Sequence, residues 1–155
     1  MRLVVRELFI DAPPERVYEL LTDAELLIEW MAPEATVDAR VGGGITWTHL
    51  NGDSVIGTFV ELVPARRVVF TFGWERADVA VPPGSTTVEI NLRAARGGTE
   101  LRLVHRGLIG PMADAHSGGW SNYLARLAAV AEGRDPGADS LANERVPRAA
   151  DLPNR

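Results

Sequence analysis

The chain has 155 residues, 46% hydrophobic and 24% charged, with no cysteine and a net charge of −5. This is one domain's length, enough to bury a core and enclose a cavity unaided, and the absent thiols exclude disulfide frameworks, thiolate nucleophiles, iron–sulfur clusters and Cys-type zinc sites. All sixteen basic residues are arginine, so no lysine chemistry is open, and residues 1–38 set nine acids against three arginines, a surface that repels phosphate backbones and anionic headgroups and makes nucleic acid and membrane unexpected partners.

Residues 2–10 are rich in β-formers and stop at Asp11-Ala12-Pro13-Pro14. They predict a first strand running into a helix start, because proline suits a first turn whose amides have no partner. Val17, Leu20 and Leu21 recur at helical spacing with Glu15 and Glu19 outside, Thr22-Asp23 breaks and caps, and residues 24–30 predict a second short helix with Leu27, Ile28 and Trp30 on its apolar face. Pro33 ends it. The N-terminal apolar run is interrupted by Glu7 where a signal peptide needs continuity, and no stretch nears the ~20 apolar residues of a membrane span, so a cytoplasmic protein is expected.

From Thr36 the period changes to two. Six strands are predicted at 36–41, 44–50, 54–63, 67–74, 85–94 and 99–107, with turn chemistry at Gly42-Gly43-Gly44, Asn51-Gly52-Asp53, Pro64-Ala65-Arg66, Pro82-Pro83-Gly84 and Gly97-Gly98. Short turns make an antiparallel meander. Val68, Phe70, Phe72 and Trp74 share one face, as do Val88, Ile90 and Leu92, and Leu101, Leu103 and His105. In 54–63 the phase is ambiguous, since Phe59 and Val60 compete for the interior. The apolar face must be covered, and a long helix at about 113–132, with Trp120, Tyr123, Leu124, Leu127 and Val130 at helical spacing, is the candidate cover. The domain is therefore set at 1–133, and 134–155, with three prolines and mixed charge, is expected to be a loosely ordered tail or an arm docking on another surface.

The order strand, two short helices, meander, long C-terminal helix describes an α+β helix-grip fold, a curved sheet of about seven strands wrapped round the last helix. Ala12-Pro13-Pro14-Glu15-Arg16-Val17-Tyr18, Leu20 to Asp23, Trp30 to Pro33, Gly42-Gly43, Gly57 with Glu61 and Pro64, Val69 to Phe72, Thr99 to His105 and Gly119-Trp120 carry a further likeness. On these residues the chain resembles the START-like (SRPBCC) superfamily, and within it bacterial relatives of the C-terminal domain of the Hsp90 ATPase activator, over roughly residues 3–132. The resemblance implies a cavity between sheet and helix. Superfamily members bind diverse apolar molecules, some catalyse cyclisation or dehydration, and others assist chaperones.

For an apolar or amphipathic small molecule in that cavity, the candidate contacts are Trp30, Trp47, His49, Phe70, Phe72, Trp74, His105, Trp120, Tyr123 and Leu124. Taken singly, each tryptophan reads first as ordinary core, with one or two of them expected to border the cavity. His105 alternates with Leu101 and Leu103 and points inward, so it is the first candidate acid or base, with His49 second, and His116 near the start of the last helix is a third inward histidine; the alternative is a satisfied core imidazole. Their spacing matches no metal-ligand motif, and neither metal nor cofactor is expected. Glu61 is read as an ion-pair partner of Arg66 or Arg67, or as a pocket acid. Gly-x-Ser-x-Gly is absent, and Gly42 to Gly44 precede a strand without Lys-Ser/Thr, so nucleophile-elbow and phosphate-loop chemistry are excluded. Binding, acid/base catalysis and a chaperone-directed interaction through the acidic face of residues 15–38 are the three functions carried forward. A homodimer contact is left open.

Overall fold

The computed structural model describes residues 2–152. In chain order they form β1 (Arg2–Ile10), α1 (Pro14–Thr22), α2 (Ala24–Leu27), β2 (Glu34–Val37), β3 (Gly44–Thr48), β4 (Ser54–Val63), β5 (Arg67–Trp74), β6 (Thr86–Ala95), β7 (Gly98–Leu108) and α3 (Gly110–Ala131), followed by an irregular arm with one 3-10 turn at Ala149–Asp151. All seven strands join one antiparallel sheet in the order β1-β7-β6-β5-β4-β3-β2. β1 and β2 lie on opposite edges, and α1 and α2 carry the chain between them. The fold is the α+β helix-grip arrangement.

Local chemistry explains most boundaries. Pro14 opens α1, which buries Val17, Leu20 and Leu21, and the Asp23 carboxylate accepts from the Glu25 amide at 2.9 Å to start α2. The competition between Phe59 and Val60 is resolved by a bulge: the β4–β5 register slips one residue between Phe59 and Glu61, leaving Phe59 at 1% exposure and Val60 at 51%. An extra residue on one strand bends it and increases its twist, which curves the sheet around α3. At Gly57 a Cβ would sit 2.1 Å from the Thr71 carbonyl oxygen, so only glycine admits β5 there. Glu61 pairs with Arg67 at 2.9 Å on the outer face.

Three elements differ from the sequence expectation by three residues or more, the first being α2, which ends at Leu27 rather than residue 30 because the chain tightens there, the Glu29 amide bonding the Leu26 carbonyl at 3.0 Å. The strand expected at 36–41 is Glu34–Val37, because residues 38–43 fold back on themselves through Arg40 amide to Asp38 carbonyl and Gly43 amide to Arg40 carbonyl bonds, each 2.8 Å. α3 begins at Gly110, three residues early, since Pro111 occupies its first turn. The concave face of β3 to β7 packs on Trp120, Tyr123, Leu124 and Leu127 of α3. Among the described residues no helix is long and apolar enough to cross a membrane, and no three His, Asp or Glu side chains are grouped to hold a metal ion.

Candidate functional site

At the β3–β4 end of the sheet the grip does not close on itself. A cavity of about 370 Å³ remains there, within the size range of small-molecule sites. β3 and the turn after it contribute Trp47 and His49, β4 gives Val55, and β5 gives Phe72 and Trp74. The facing wall is α3, through Ala115, His116, Gly118, Gly119, Trp120 and Tyr123, while Met31 closes one side. The period-2 strands and the helical spacing of α3 aim these rings at one volume.

Three of the four tryptophans donate their indole N–H to the three histidines: Trp47 to His49 Nε2 at 3.2 Å, Trp74 to His116 Nε2 at 2.9 Å and Trp120 to His105 Nδ1 at 3.0 Å. Each bond fixes a tautomer, because the accepting nitrogen must be bare. His105 therefore donates from Nε2 to Thr86 Oγ1 at 2.8 Å, and that hydroxyl donates to the Phe72 carbonyl at 2.6 Å. His116 donates from Nδ1 to the Met112 carbonyl at 2.7 Å. His49 Nδ1 faces Tyr123 Oη at a long 3.4 Å, and the phenol gives its own proton to Asp139 Oδ2 at 2.7 Å.

Burial sets the charge state of this set. It pushes His105 down to about 3, assisted by the nearby His116, and it lowers His116 against the opposing bond to Met112. Burial lowers His49 as well, against the pull of Asp139 and Asp53. Tyr123 is raised, by burial first and then by its bond to Asp139. All three imidazoles are thus neutral near pH 7, and their ring nitrogens are spent within the protein.

The remaining wall comes from the arm, through Leu141, Glu144, Arg145, Val146 and Pro147. Asp53, 3% exposed, is its anchor: the carboxylate accepts from Arg76 Nη1 at 3.2 Å and Arg145 Nη2 at 2.7 Å. Asn51 Nδ2 donates to the Glu144 carbonyl at 2.8 Å, Arg76 Nη1 to the Val146 carbonyl at 2.9 Å, and the Ala149 amide to the Asp78 carbonyl at 2.6 Å. Farther back, Asp139 accepts from Asn122 and the Leu141 amide as well as Tyr123. Burial acts to raise this carboxyl, yet those bonds outweigh it and hold it below the usual range. Residues 134–152 therefore lie on the chain's own domain, over the cavity.

Of the residues named from sequence, Trp47, His49, Phe72, Trp74, Trp120 and Tyr123 face the cavity together. Trp30 instead packs beneath α1, its indole donating to the Leu20 carbonyl at 2.8 Å. Phe70 is wedged edge-on between Trp47 and Phe59, with ring centroids 6.1 and 6.3 Å away. Leu124 is core at 2% exposure, and His105, fully buried, lies behind Phe72 at 4.6 Å between ring centroids. Sequence reasoning did not single out Met31, Val55, Gly118 or the arm. Only Val55, in phase with Phe59 on β4, carried a usable signal.

The family model described as activator of Hsp90 ATPase homolog 1-like protein matches residues 11–132. A human protein named activator of 90 kDa heat shock protein ATPase homolog 1 is 28% identical over 123 residues, covering 79% of this chain and 34% of that protein, so the chain spans about a third of the length of the curated relatives it matches. Among solved structures, an AHSA1-like protein from Rhizobium etli is 41% identical with a TM-score of 0.69, covering 95% of this chain and 92% of that one. A protein from Chromobacterium violaceum is 29% identical with a TM-score of 0.71, covering 84% and 96% respectively.

Proposed function

The chain belongs to the family of activator of Hsp90 ATPase homolog 1-like proteins, and on that premise we propose that it is a binding module holding one apolar or amphipathic small molecule between the sheet and α3. The observation that carries this reading is the ring-lined cavity of about 370 Å³. A solid core would have filled it, because interiors pack to crystal-like density and voids larger than a water are few. The same residues argue against His105 and His116 as acid or base: both nitrogens of each are engaged, and a general base needs one within reach of the substrate proton. We place the protein in the cytoplasm, in keeping with its lack of cysteine. Titration with lipids, steroids and polyketides followed by tryptophan fluorescence tests the reading, since Trp47, Trp74 and Trp120 all border the cavity. Saturable quenching or enhancement is expected; a flat response across the panel refutes it.

A second reading is favoured by the human relative, whose name describes an activator of a chaperone ATPase. Here the chain docks on an Hsp90-type chaperone through exposed acids on and beside α1 and α2, Glu15, Glu19, Asp23, Glu25 and Glu29. Stimulation of the chaperone's ATP hydrolysis by this chain, lost when Glu15, Glu19 and Glu25 are changed to Gln, would favour it over the first.

A further inference from the structure

The wall of the cavity specifies what it accepts. Trp47, Trp74 and Trp120 present ring faces and edges, but each indole N–H is already given to a histidine, and the cavity-facing His49 and His116 have no nitrogen left over. A hydroxyl, amide or carbonyl pushed into this interior would leave water and could draw only on the long His49–Tyr123 contact of 3.4 Å. Polar capacity is freer at the rim, where Glu144 lines the opening and Arg145 is 59% exposed beside Asp53.

α3 adds a second feature. Gly118 and Gly119 sit in the middle of a 22-residue helix and line the cavity, although glycine in a helix interior costs about 1 kcal/mol relative to alanine. Neither has the positive φ that would require glycine, and a Cβ added at either meets no atom within 4 Å. Gly57 and Gly73 differ, since a Cβ there would come within 2.1 Å of backbone oxygen. Neither conformation nor packing of this chain accounts for the pair on α3. What they do leave is bare helix backbone that a flat surface can approach closely.

Resting on the binding reading above, we propose that the cavity selects a planar aromatic ring system, unsubstituted over its buried part, seated against the bare backbone at Gly118 and Gly119 with any polar substituent held at the Arg145 rim. Rings are favoured over acyl chains because the walls already hold ring-to-ring contacts, Phe72 lying edge-on to Trp74 at 5.9 Å and 88° and tilted to Trp47 at 5.9 Å and 59°, and a guest ring extends that packing.

The test uses the full chain and the uncharged probe N-phenyl-1-naphthylamine, followed by its fluorescence and displaced by biphenyl, 4-hydroxybiphenyl, 4,4′-dihydroxybiphenyl or dodecanoate. The monohydroxy compound can turn its hydroxyl to the rim and should compete about as well as biphenyl. The dihydroxy compound must bury one hydroxyl and should compete at least roughly tenfold less well. Gly118→Ala and Gly119→Ala should each raise the thermal midpoint while weakening the probe about fivefold or more. Equal competition by the dihydroxy compound, stronger competition by dodecanoate, unchanged probe affinity in the alanine variants or a fall in their midpoints overturns this inference and leaves the binding reading intact. No saturable response from the unaltered chain to any of these compounds overturns both.

Discussion

Replacing Thr86 with Val would cut the chain of bonds from Trp120 through His105 to the Phe72 carbonyl, leaving the imidazole N–H buried without its acceptor and taking a donor from that carbonyl. We expect a loss of about 1–3 kcal/mol in urea unfolding, with little change in the cavity, which His105 does not touch. Acid acts on the same set. In the unfolded chain each imidazole titrates near its ordinary value of about 6.5, whereas folded His105 takes up a proton only at about 3, and His49 and His116 are also lowered. Between those values the unfolded state binds more protons, so the contribution is fully present above about pH 6.5 and is lost as the pH falls. Unfolding free energy should decline from pH 7 to pH 5, with His105 alone contributing a slope approaching about 1.4 kcal/mol per pH unit and His49 and His116 adding in the same direction, and His105→Gln should flatten that slope. A slope unchanged by the substitution would contradict the assigned neutral state. Sequence alternation placed His105 inward, but its role depends on Trp120 and Thr86, whose distance in space the alternation does not encode.

At the scale of elements, Gly57→Ala forces β4 off the Thr71 carbonyl and should cost about 1–3 kcal/mol or more as overpacking, visible as a lowered thermal midpoint. The arm is held differently, by a few polar fasteners. Arg145→Ala removes one of the two guanidinium groups on Asp53, and limited trypsin digestion should then cut at Arg148 faster than in the unaltered chain while the core resists; equal rates would mean the arm is held elsewhere. Strands and helices were legible because their apolar residues repeat at periods of two and about 3.6, and the β4 ambiguity was legible as an ambiguity. The start of α3 was hidden because Gly110 and Pro111 carry no apolar period, only the first-turn preference of proline. The arm has no period at all, and its contacts join residues such as Asp53 and Arg145 that are 92 positions apart.

For the whole molecule, an occupied cavity should make the fold more stable, because a ligand that binds only the folded state adds about 2.7 kcal/mol at a hundred times its dissociation constant. A rising midpoint with added ligand, matched to the fluorescence titration, ties the cavity to the fold; a midpoint indifferent to ligand separates them. The architecture itself was readable from element order and turn chemistry. A cavity between sheet and helix was expected too, but its place at the β3–β4 end and its arm-built wall were not, since they depend on how far α3 stands from β3 and β4 and on what the arm covers. One feature of the topology also governs how the chain is made. β1 leaves the ribosome ahead of the other six strands yet mates with β7, Arg2 lying across from Leu108, so at ordinary translation speeds it stays single for roughly 5–20 s. Throughout that interval Leu3 and Phe9 are open to other nascent chains, and Arg2, Arg6 and Glu7 are the charges that guard the lone strand against them.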